Sequence, residues 1–132
     1  MPAKIFNPPD LHKPLGYSHV AEITSGKLIF IAGQVALDQN GNIAGAGDFR
    51  SQVEQVFANL GTALNAVDAG FHNIVKLNCY CVDTVEPSQI AVFREVRDAH
   101  VNAANPPVST LVVVSRLVRP EWLIEVEAIA VV

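Results

Sequence analysis

Apolar residues at Phe49, Val53, Val56, Phe57, Leu60, Leu64 and Val67 recur at three- and four-residue intervals, which predicts an amphipathic helix. Asp48 is its expected N-cap, and Gly70 its expected residue just past the C-terminus. Elsewhere the period is two. In Ile74 to Val82, residues Val75, Leu77, Cys79 and Cys81 alternate with Lys76, Asn78, Tyr80 and Val82, as in a strand with one buried face. Tyr17 to Ile23 reads as a strand turning at Ser25-Gly26 into Lys27 to Ala32, whose apolar character on both faces predicts a central position. A second helix is expected from near Pro87 to about Ala103, broken by Asn105-Pro106-Pro107.

Two β-branched runs, 106–117 and 122–132, are separated by Val118-Arg119-Pro120-Glu121 and predict an antiparallel hairpin. Alternation along the second run puts Trp122, Ile124, Val126, Ala128 and Ala130 on one face, and Leu123, Glu125, Glu127 and Ile129 on the other. An ionised carboxylate is rarely buried unpaired, so that second face must meet water, a ligand or a partner chain. The order β, β, α, β, α, β, β argues for a two-layer α+β fold, a sheet with both helices on one face. Leu111, Val113, Leu117, Leu123 and Ile129 are then expected to form an apolar patch on the uncovered face, closed by another subunit. The segment Phe6-Asn7-Pro8-Pro9 reads as an extended arm.

The chain has 132 residues, half of them hydrophobic and 17% charged, enough for one core; a single domain over 1–132 is expected. Its mean hydropathy of +0.29, without an apolar run able to span a bilayer, again places surplus apolar surface at a subunit interface rather than in a membrane. The net charge of −4, with basic residues scattered singly, disfavours nucleic-acid binding. The start Met1-Pro2-Ala3-Lys4 lacks the features of a secretory signal, which makes the cytoplasm the default compartment. Cys79 and Cys81, two apart, match neither a redox nor a zinc spacing and read as buried thiols. The four histidines, His12, His19, His72 and His100, share no spacing that would build a metal site.

Several segments together resemble the RidA/YjgF family of enamine/imine deaminases. They are Leu15-Gly16-Tyr17-Ser18-His19, Ile31-Ala32-Gly33-Gln34 with Asp38 and Gly41, and Gly47-Asp48-Phe49 with Gln52, Gln55 and Asn59-Leu60. Ile74-Val75-Lys76-Leu77, Asp83 and the closing Ile124-Glu125-Val126-Glu127-Ala128-Ile129-Ala130-Val131 continue the likeness over nearly the whole chain. The resemblance implies a chorismate-mutase-like α+β fold, a homotrimer whose sheets form a central barrel, and ligand pockets between subunits. It also implies hydrolysis of a reactive imine or enamine to a carbonyl compound and ammonia, with no metal or organic cofactor.

By the same resemblance Glu125 corresponds to the glutamate that positions the hydrolytic water, a task suited to a partly buried carboxylate. The residue pattern alone equally allows Glu125 to bond backbone or to pair with Arg116. Tyr17 corresponds to a pocket tyrosine, and the Gly33 segment to backbone donors near the substrate. Family members carry an arginine at the start of the penultimate strand that clamps the substrate carboxylate; here that position is Ser109, which has no charge. Leu111 stands where many members have cysteine. A replacement cation from the second helix is expected to be Arg94 or, one turn on, Arg97, against the reading that both lie on a solvated charged face. The alternative function is a non-catalytic small-metabolite-binding or regulatory trimer of the same fold.

Overall fold

The computed structural model describes residues 2–132. Its strands are β1 (Ala3–Phe6), β2 (Val20–Ile23), β3 (Leu28–Gln34), β4 (Ile74–Val82), β5 (Val108–Val114) and β6 (Ile124–Val131). The helices are α1 (Phe49–Asn65) and α2 (Ile90–Asp98). β1 and β2 form a separate antiparallel ribbon, and the other four strands make one sheet in the order β3-β6-β4-β5. β6 runs antiparallel to both neighbours, whereas β4 and β5 are parallel, with α2 as their crossover. Both helices pack on one face of this sheet: Phe57, Leu60 and Leu64 of α1 and Phe93 and Val96 of α2 share a core with Leu77, Cys79, Val126 and Ala128. The fold class is thus the expected α+β arrangement.

β4 spans the predicted residues, and its alternation is kept, with Leu77, Cys79 and Cys81 buried between half-buried Asn78 and Tyr80. β6 also keeps its pattern: Ile124, Val126, Ala128 and Ala130 are buried, while Glu125 and Glu127 lie on the face away from the helices. Trp122 falls outside the strand. Asp48 caps α1 as expected, its Oδ1 accepting from Ser51 N at 3.2 Å.

The hairpin expected between the last two strands does not form. Residues 115–123 carry the chain past β4, so that β6 fills the gap between β3 and β4, bonded on both sides, and β5 pairs with β4 instead. β3, expected to be central, is an edge strand; its outward residue Phe30 is 71% exposed. The first strand starts at Val20 rather than Tyr17, because it pairs with β1, a strand drawn from the supposed N-terminal arm. Beyond α1 the left-handed residue is Asp68 (φ 55°), with Ala69 N donating to Leu64 O at 3.0 Å; Gly70 is extended and does not close the helix. The second helix opens with a 3₁₀ turn at Pro87–Gln89 and ends at Asp98, short of Ala103.

Parallel register carries a further correction. Ser109, Leu111 and Val113 lie opposite Leu77, Cys79 and Cys81, so they share the helix-side face, and Leu111 and Leu123 pack against the core. The uncovered face presents Phe30 and Ile129 with Tyr80, Glu125, Glu127 and Val112.

Candidate functional site

Glu125 owes its place to a local irregularity. The β3–β6 register shifts between Ile31 and Gln34, and this bulge brings Gly33 against the Glu125 side chain. A Cβ at position 33 would collide with Glu125 Oε2, so only glycine lets the carboxylate lie flat on the strand. Across the sheet Tyr80 stands opposite Glu125, and its hydroxyl donates to Glu127 Oε1 at 2.5 Å. Burial raises the Glu125 carboxyl above its ordinary range, and the neighbouring Glu127 charge raises it further. Tyr80 is raised as well, chiefly because its proton is held by Glu127. Glu125 forms no ion pair with Arg116 among the described residues, since no hairpin joins them.

A second group gathers where β5 begins. Ser18 is buried; its Oγ donates to Pro106 O at 2.6 Å and its N–H to Pro107 O at 3.1 Å, which fastens the 16–18 segment alongside Val108. Tyr17 is half-buried there, and its hydroxyl shares a 2.7 Å hydrogen bond with His12 Nε2. The His19 ring stands edge-on to both His12 and Tyr17. Ser109 is half-buried and hydrogen-bonds the Cys79 thiol. Burial pushes that thiol up to about 12, so it stays protonated at neutral pH. Cys79 also feels the positive charge of Arg97, which is only 6% exposed. Arg94, by contrast, is exposed on the outer side of α2.

The structure therefore brings Tyr17, Ser109, Leu111 and Arg97 to the helix side of the β5 edge. It leaves Glu125 and Gly33 on the other face, nearer the β3 edge. Within one chain these two groups do not meet. Sequence reasoning gave Tyr80 no role in the site and named Arg97 only after Arg94, which the structure leaves exposed. The signal for Tyr80 was the face it shares with Lys76 and Asn78, opposite Leu77, Cys79 and Cys81; for Arg97 it was the spacing from Phe93, four residues earlier on the buried stripe of α2. A cavity of about 150 Å³ lies between β1 and the 71–74 and 102–107 segments and borders the second group at Pro107. Among the described residues no cluster of His, Cys, Asp and Glu could hold a metal ion, and no helix is long and apolar enough to cross a membrane.

Fold and site together define a small α+β chain with a carboxylate set on an uncovered sheet face and an unusual buried guanidinium at the sheet's edge. Residues 11–132 match the family model described as Endoribonuclease L-PSP. A RutC family protein of Pyrococcus horikoshii is 34% identical over 119 residues, 89% of each chain. The crystal structure of a conserved Rid family protein of unknown function from Yersinia pestis superposes with a TM-score of 0.92, at 35% identity and over the full length of both chains. A 2-iminobutanoate/2-iminopropanoate deaminase of Dermatophagoides farinae is 26% identical over 80 residues, 60% of this chain and 61% of its own. The chain belongs to the RidA/YjgF family.

Proposed function

We propose that this chain hydrolyses a reactive imine or enamine metabolite to a carbonyl compound and ammonia, with Glu125 as the group that orients and deprotonates water. The observation that carries the reading is the Glu125 carboxylate, pressed on the Gly33 backbone and raised by burial and by Glu127. A carboxylate of raised pKa is a better proton acceptor than a free one. Water oxygen bonds to the C=N carbon as its proton passes to Glu125. That proton then goes to nitrogen to give the carbinolamine, the hydroxyl proton passes by way of Glu125 to the same nitrogen, and the C–N bond breaks as the carbonyl forms and ammonia leaves. The likeness to the mite deaminase supports this chemistry at the level of the family.

Substrate would bind between chains of a homotrimer. Glu125 and the Tyr17–Ser109 group face away from each other in one chain, and apposing the β5 edge of one copy to the β3 side of another brings them into one pocket. The exposed Phe30 and the edge position of β3 support such a contact. Ser109, uncharged where the family resemblance leads one to expect arginine, supports a second reading, a non-catalytic trimer that binds a small metabolite.

Turnover separates the two. An amino-acid oxidase generates the imine, semicarbazide traps it, and trapping is followed with and without the protein. Wild type is expected to suppress trapping, and Glu125→Gln to lose about 10²-fold or more of that effect with an unchanged fold. Wild type without effect across small and bulky amino acids would favour the binding protein.

A further inference from the structure

Glu125 and Glu127 stand two residues apart on one face of β6, both half-buried, and neither pairs with a lysine or arginine among the described residues. They are close enough that the charge of Glu127 is felt at Glu125. Two carboxylates so placed titrate as a pair, and their surroundings decide which of them holds a shared proton.

Those surroundings are unequal. Tyr80 lies opposite Glu125 on β4, yet its hydroxyl reaches diagonally to Glu127 and donates to Oε1 at 2.5 Å. A hydroxyl bonded at that length to a carboxylate oxygen makes a charge-assisted hydrogen bond, about twice as strong as a neutral one. Oε1 of Glu127 is therefore already occupied by a proton that belongs to the tyrosine. The Glu125 carboxylate receives no such bond among the described residues and lies against the Gly33 backbone.

Little else on this face can alter the balance. Beside Tyr80, β4 adds Asn78 opposite Glu127 and Lys76 opposite Ile129, while β5 adds Thr110 and Val112. β3 adds Phe30 and the Gly33 backbone. The ionisable groups that the four strands place here are thus Tyr80, Glu125, Glu127 and Lys76, and Lys76 lies further from Glu125 than Glu127 does. A base that takes a proton from water must hold it until the acceptor nitrogen is in place. In a symmetrical pair that proton would spend part of its time on Glu127, two residues along the strand.

We propose that Tyr80 is a positioning residue that acts through Glu127: by filling Oε1 with its own proton, it leaves Glu125 as the carrier of the pair's one mobile proton. Glu127 is then the fixed charge, and Glu125 the group that cycles. The use of that proton on an imine rests on the proposed function; its location does not.

The test is carboxyl-carbon NMR of the assembled protein, labelled at glutamate Cδ and titrated through the acid range, with Glu125→Gln and Glu127→Gln assigning the two signals. In wild type the step at higher pH is expected at the Glu125 carbon alone. Tyr80→Phe frees Oε1, and the same step is expected to divide between both carbons with comparable amplitude. Glu127→Gln removes the neighbouring charge, so the Glu125 midpoint is expected at lower pH than in wild type. In the trapping assay Tyr80→Phe is expected to lower kcat about three- to tenfold with KM little changed, and Glu127→Gln to move the acid limb of the rate to lower pH.

A wild-type step shared by both carbons, or one that Tyr80→Phe leaves wholly on Glu125, overturns the proposal. So does a Glu127→Gln titration with the Glu125 midpoint unmoved. A slower Tyr80→Phe enzyme with an unaltered titration also overturns it, since the tyrosine would then act by shape or by touching the ligand. Should Tyr80→Phe not fold, wild type and Glu127→Gln decide. Titrations as expected without turnover by wild type leave this inference standing and the deaminase reading fallen; turnover with a shared step does the reverse.

Discussion

At the scale of single residues, the sequence announced chemistry better than environment. Glu125 was conspicuous as a charge in an apolar run, and its alternation correctly put it away from the core. Its contact with Gly33 was invisible, because a bulge in another strand creates it. The raised carboxyl has a thermodynamic sign. Since the folded chain binds the Glu125 proton more tightly than the unfolded chain, this group's contribution to stability is full below the ordinary carboxyl value and declines as pH rises through the raised folded one. Glu125→Gln is therefore expected to raise the melting temperature at neutral pH and flatten its dependence between mildly acidic and neutral pH, a trend that scanning calorimetry across pH can check. Gln52 offers the opposite case. Fully buried on α1, it donates to Gly45 O and Glu121 O and accepts from Leu123 N, tying the loop before α1 to the loop before β6. Gln52→Ala leaves those backbone groups unpaired and is expected to cost on the order of 3 kcal/mol in urea unfolding.

At the scale of elements, period and capping were readable, whereas pairing was not. The α1 stripe, the Asp48 cap and the limits of β4 came from local pattern, which tertiary context left untouched. The supposed hairpin failed because proline and charge mark an interruption without saying how far the chain then travels. The loop is long enough to skip a strand, and burial of β6 on both edges outweighs local pairing. The end of α1 was misread for a smaller reason: a glycine is the usual left-handed residue, yet Asp68 takes that role at φ 55°. A non-glycine residue there carries roughly 1–2 kcal/mol of strain, only partly offset by the greater chain entropy glycine adds to the unfolded state. Asp68→Gly is thus expected to stabilise the chain by about 0.5 kcal/mol, measured by the same urea titration.

At the scale of the whole molecule, surplus hydrophobicity was the most useful number. It predicted uncovered apolar surface, and the structure puts that surface on the face carrying Phe30, Ile129 and Val112, though Leu111 and Leu123 turned out to be core-side. If copies associate through this face, Phe30→Asp is expected to shift the sedimenting species from a multiple of 14.2 kDa toward the single-chain mass, with secondary structure retained. The site was less legible than the fold because its parts lie on opposite sides of one sheet, a relation set by strand order.

That strand order also governs when the molecule can come into being. β3 has β6 as its hydrogen-bonded neighbour in the sheet, and β4 has β6 along its other edge, so the sheet closes only when residues 124–131 arrive. Lys27 then exchanges backbone hydrogen bonds with Val132, locking the early chain to the late one. A nascent chain that has made α1 and α2 still holds two apolar helix stripes without a finished surface to receive them. Folding is accordingly a late, long-range event, and the apolar faces of both helices stay uncovered until β6 enters the centre of the sheet.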